Sequence, residues 1–103
     1  MMNTPVKLMM TWDIKPGNEK KYFAFISQEF PTILQDAGLQ LSDAWYTVYG
    51  AWPQISMGFV SEDIQIIKDF LASELWLGLK HRLFAYIQGY QQKIIPARGG
   101  FQI

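Results

Sequence analysis

The chain has 103 residues, no cysteine and one histidine, His81, and its nine basic residues balance nine acidic ones. The lack of cysteine excludes a disulfide framework, a thiolate zinc site and a cysteine nucleophile, and the lack of a basic excess or stripe argues against a nucleic-acid partner. Half of the residues are hydrophobic, 16% are aromatic and only 17% are charged, more apolar surface than a small monomer readily hides, so an oligomer or a lined cavity is expected.

The length predicts a single domain spanning residues 1–103. Met1 to Lys7 lack the basic segment and apolar core of a signal peptide. No apolar run approaches the roughly 20 residues that span a bilayer. A cytoplasmic protein without a membrane partner is the expectation.

From Val6 to Lys15 the sequence alternates. Val6, Leu8, Met10, Trp12 and Ile14 point one way, and Lys7, Met9, Thr11, Asp13 and Lys15 the other, which predicts a strand. Pro16-Gly17 ends it, and Asn18 is placed to cap a helix beginning at Glu19. In that helix Phe23, Ile26, Phe30, Ile33, Leu34 and Ala37 form one stripe at about 100° per residue. Pro31 removes one backbone bond, but the stripe keeps its phase across it, which predicts one bent helix. Gly38 supplies a left-handed stop.

Two strands are expected next, Leu41 to Tyr49 and Ile55 to Val60, joined through Gly50-Ala51-Trp52-Pro53-Gln54. The first carries aromatics on both sides, Tyr46 on one and Trp45 and Tyr49 on the other, which predicts burial on both sides. In the second, Ser56 and Gly58 leave room beside the sheet. Ser61 is expected to cap a helix from Glu62 with Ile64, Ile67, Phe70 and Leu71 inward, and Ser73 to cap its continuation through Tyr90. A short strand from Gln91 to Ile95, halted by Pro96, completes the series.

This order predicts an α+β fold of the ferredoxin-like βαββαβ type: a four-stranded antiparallel sheet with its helices on one face. The other face then needs a cover, and the sheet of a second copy would supply one.

The segments "DIKPGNEKKYFAFI", "WPQISMGFVSED" and "FLASELWLGLKHRLFAYIQGYQQKI" in this order resemble the dimeric α/β-barrel superfamily, most of all its NIPSNAP-like and antibiotic-biosynthesis-monooxygenase-like branches. The resemblance covers nearly the whole chain and lies in element order and apolar spacing. It implies a homodimer whose two sheets form a barrel, with a cleft between helices and sheet in each subunit. Members of the superfamily include cofactor-free monooxygenases, haem-degrading enzymes and small-molecule-binding proteins, so the fold leaves the function open.

Haem-degrading members use a helical histidine near a tryptophan, assisted by an asparagine on the first strand. Here His81 and Trp76 are the candidates, but Val6 to Lys15 contain no asparagine, and the two side chains point about 140° apart on a helix. A surface histidine is the expectation for His81. No metal site is expected, because one histidine without clustered acids makes a poor one.

Trp12, Tyr46 and Trp76 are the aromatic candidates to line a ligand cleft, with Thr11, Ser56 or Arg82 as polar anchors, although most aromatics are expected to fill the core and dimer interface. The side of the first strand bearing Met9, Thr11 and Asp13, beside Ser56 and Gly58, is where a cavity is expected. The first reading is a homodimeric protein binding a small apolar or aromatic molecule without a cofactor. The alternative is a cofactor-free or haem-degrading monooxygenase acting on an aromatic substrate, with Asp13 or His81 as catalytic candidates handling protons.

Overall fold

A computed structural model describes residues 4–47, 50 and 53–97. The elements run β1 (Val6–Ile14), α1 (Glu19–Gln28), α2 (Phe30–Asp36), β2 (Gln40–Tyr46), β3 (Ile55–Ser61), α3 (Ile64–Leu71), α4 (Glu74–Phe84) and β4 (Ile87–Pro96). The four strands form one antiparallel sheet in the order β2-β3-β1-β4. All helices pack on the same face, which makes the ferredoxin-like α+β sandwich. Val48, Tyr49, Ala51 and Trp52, assigned to the second strand and its loop from the sequence, lie outside the described residues.

The alternation of β1 sorts the molecule into two halves. Leu8, Met10 and Trp12 are fully buried under the helices, with Ile14 nearly so, while Lys7, Met9, Thr11 and Asp13 between them are half-buried on the other side. Cross-strand pairing carries the division to β3, where Leu8 faces Phe59, Met10 faces Met57 and Trp12 faces Ile55. Trp12 is the centre of an aromatic cluster. Its ring meets Phe30 and Tyr22 edge-on and stacks on Tyr90 with centroids 6.0 Å apart. Its indole N–H donates to the Tyr22 hydroxyl oxygen at 3.0 Å, as a buried indole requires. Burial raises the Tyr22 phenol to about 12 even though the Trp12 bond pulls the other way.

The first helical segment departs from expectation. It is two helices rather than one bent helix, divided at Glu29, whose φ of −122° is far from helical. In an unbroken helix the pairs Tyr22/Phe25 and Phe30/Leu34 would point about 130° apart. The change of direction at Glu29 turns both pairs into the core, where all four are buried. Phe23, expected inward, is 43% exposed, because the phenol of Tyr22 finds a buried partner and takes the inner position instead. Pro31 sits in the first turn of α2, where its missing N–H costs nothing.

Three further boundaries differ. Ser61 is the last residue of β3, and Asp63 caps α3 by accepting from the Gln65 N–H at 3.0 Å. Ser73 caps α4 as expected, accepting from the Trp76 N–H at 3.1 Å. The last helix stops at Phe84 instead of continuing through Tyr90, and the strand begins at Ile87. Gly89 has φ +70°, and β4 holds one extra residue against β1 between Gln88 and Gln91, a bulge that glycine makes inexpensive. The bulge turns Tyr90 onto Trp12.

The expectation that the second strand is buried on both sides is corrected as well. β2 is an edge strand, with Trp45 66% and Tyr46 55% exposed. A bulge at Ser42 shifts its register against β3.

Candidate functional site

The residues expected to line one cleft fall on opposite sides of the sheet. Trp12 and Trp76 are on the helix side. Both are buried, and Phe30 lies within 6.5 Å of each ring. Tyr90 and Phe70 close around Trp76. These rings occupy the space between helices and sheet where the cleft was expected. Tyr46 also lies on the helix side, paired with Ile55 at the β2 edge and touching Phe23. Arg82 is engaged elsewhere: its guanidinium donates to the Glu29 carboxylate and lies 4.8 Å from the Phe25 ring centroid, which pins α4 to the junction of α1 and α2.

Thr11 and Ser56 are on the open side and directly opposite each other across β1 and β3. Pairing extends this row to Trp45 on one flank and Gln91 on the other. The next row reads Asp43, Gly58, Met9 and Lys93. Lys7 and Asp43 form an ion pair of 3.5 Å. The Ser42 hydroxyl donates to Asp43 and also lies 3.1 Å from the Gly58 carbonyl oxygen. A side chain on Gly58 would run into the Asp43 carboxylate and come within 3.1 Å of the Met9 sulfur. A side chain at this position would have to displace the Asp43 carboxylate where the polar strap crosses β3.

Beside the strap the open face forms a concavity of about 330 Å³ lined by Met9, Thr11, Pro53, Gln91, Gln92 and Lys93. Thr11, Gln91 and Lys93 offer it a hydroxyl, an amide and an ammonium, and Met9 and Pro53 offer apolar surface, the mixture typical of small-molecule sites. Lys93 and Gln91 were missed in the sequence because β4 was read as a short terminal strand. Their alternation with Ile94 and Gln92 was the available signal. A cleft of about 440 Å³ at the opposite end of β3 is larger. Its Ser61 hydroxyl is sealed from solvent, and its other polar side chains are those of Gln35, Gln40 and Glu62.

The two catalytic candidates are far apart in role and place. Asp13 is on the open side at the end of β1, where its carboxylate accepts from the Gln54 N–H at 2.8 Å, and the Gln54 side chain in turn accepts from the Ile14 N–H. His81 is exposed on the outer surface of α4, away from the buried Trp76 on the same helix. Among the described residues, no three histidine, cysteine, aspartate or glutamate side chains gather as a metal site requires. No helix among them is long and apolar enough to cross a membrane.

No protein-family model and no curated protein matches the chain. Its fold is matched by solved structures. An uncharacterised NIPSNAP-like domain protein from Burkholderia xenovorans superposes with a TM-score of 0.70 at 16% identity, covering 95% of this chain and 89% of the other. A protein from Bacteroides thetaiotaomicron, provisionally described as an antibiotic biosynthesis monooxygenase, gives 0.60 at 19% identity over 95% and 90%. A protein from Bacteroides fragilis, described as dimeric, of unknown function and ferredoxin-like in fold, gives 0.62 at 7% identity over 94% and 100%. At such identities the likeness establishes the fold and leaves the chemistry to the residues of this chain.

Proposed function

We propose that this protein is a homodimeric domain that binds a small apolar or aromatic molecule on the open face of its sheet. The observation that carries the reading is the concavity at Met9, Thr11, Gln91 and Lys93, on the sheet face that no helix covers among the described residues. Thr11 and Ser56 remain the proposed polar contacts, and the exposed ring of Trp45 ends their row. Trp12, Tyr46 and Trp76 serve instead as the framework behind the site.

A second copy laid on the open face would close the concavity from above and remove Trp45, Val60 and Ile95 from water. A neighbour of the same fold is described as dimeric, which supports assembly as a dimer. The enclosed chamber would strengthen each polar contact by excluding water, while Met9 and Trp45 would supply soft and flat surfaces to an aromatic guest.

The monooxygenase reading rests on fold likeness alone. Asp13 is held by the Gln54 backbone, and His81 lies on the outer surface of the helix layer across the sheet from it, so the two do not converge on a substrate. Native mass spectrometry of the purified full chain tests the proposal. A species of twice the chain mass, with or without a retained organic molecule, is the expected result. A monomer at micromolar concentration would overturn the reading.

A further inference from the structure

Among the described residues the open face carries Lys7, Lys93, Asp13 and Asp43, and three of these four have partners within the chain. Lys7 and Asp43 pair with each other, and the Asp13 carboxylate accepts the Gln54 N–H. Lys93 is left over: the two ion pairs among the described residues are Lys7–Asp43 and Arg82–Glu29, and neither includes it. It nevertheless lines the concavity, and so do the neutral polar side chains of Thr11 and Gln91. The register brings the group together, because Thr11 is the cross-strand partner of Gln91 and Met9 that of Lys93.

An ammonium supplies donors only, a hydroxyl can donate, and the amide of glutamine offers two N–H donors. Lys93 is an ammonium without a carboxylate partner among the described residues, and with two neutral groups able to donate beside it, it fits an anionic acceptor, while the adjoining Met9 and Pro53 fit an apolar body. Resting on the sheet-face site proposed above, we infer that its ligand is a small aromatic carboxylate whose carboxylate meets Lys93, with Thr11 and Gln91 beside it. The flat part of the ligand lies against Met9 and Pro53. A covering second copy would lower the local dielectric and raise the value of the charge-assisted bond.

The test uses 1-naphthoate and its uncharged isostere 1-naphthamide as probes, followed on the full chain by amide chemical shifts in nitrogen-15-labelled protein. Naphthoate is expected to shift the Thr11 and Gln91 amides and to bind about tenfold more tightly than naphthamide. Lys93→Gln should abolish that preference, and Lys93→Arg should keep most of it. Equal affinity of the two probes, with both shifting Thr11 and Gln91, would overturn the carboxylate inference and leave the sheet-face site standing. No shift at these amides with either probe would remove the site as well. If Lys93→Gln instead dissociates the dimer while the naphthoate preference survives, Lys93 serves the interface and the inference fails.

Discussion

The two faces of the sheet are made from the same four strands but solve different problems. On the helix side, Leu8, Met10 and Trp12 are completely excluded from water, and the indole N–H of Trp12 is matched by the Tyr22 hydroxyl. On the open side the same strand presents Lys7, Met9, Thr11 and Asp13, half-buried and interleaved with charge. Stability is concentrated on the first face, where each large apolar side chain contributes about 1.5–3 kcal/mol on burial. The second face is held in shape by short-range polar contacts and leaves its side chains partly exposed.

The largest test of this division compares neighbours in sequence. Trp12→Ala should cost about 3–5 kcal/mol, through the cavity it opens and the orphaned Tyr22 hydroxyl. Thr11→Ala should cost less than about 1 kcal/mol, because a half-buried hydroxyl on the open face packs against little. Urea unfolding of both variants measures the difference. Similar losses would mean that the open face is as tightly built as the covered one.

Gly58 tests the open face on its own terms and should give an intermediate effect. The methyl group of Gly58→Ala would meet the Asp43 carboxylate and crowd Met9 and Lys7, so a loss of about 1–3 kcal/mol is expected from overpacking. Combining it with Asp43→Ala removes the obstacle, and the double variant should lose clearly less than the two single losses added together. Strict additivity would show that the strap over β3 does not shape this face.

Much of the two-faced fold was readable from residue order. The alternation of Val6 to Ile14 placed β1 and assigned its inner side, and Ser73 before Glu74 marked the start of α4. Both signals depend only on neighbouring residues. What escaped depended on tertiary partners: Tyr22 displaced Phe23 from the core because Trp12 waited to bond it, and β4 began early because Gly89 could adopt a positive φ where a helix pattern suggested continuation. The site was half legible. Thr11 and Ser56 were singled out, and their being opposite each other required the register. Period two already separates Thr11 from Trp12, so the original cleft mixed residues of two faces. Lys93 stayed hidden because nothing local distinguishes it from any other solvated lysine; its place is set by pairing with Met9 across the sheet.

The smallest expected effect concerns an exception within the covered face. Ser61 continues the inward series Ile55, Met57 and Phe59, is 3% exposed, and its hydroxyl has no hydrogen-bond partner among the described residues. A buried hydroxyl without a partner gives up its bonds to water and gains none in return. Ser61→Ala removes that cost and keeps nearly the same shape, so unfolding stability should stay level or rise by up to about 1 kcal/mol. Ser56→Ala, two positions before Gly58 on the open side, should leave stability within about 0.5 kcal/mol of the parent, while weakening ligand binding if Ser56 contacts the guest. A loss above about 1 kcal/mol for Ser61→Ala would mean that its hydroxyl does meet a partner. The covered face would then be polar at this end, and the contrast between the two sides would hold only for the part of the sheet around Trp12.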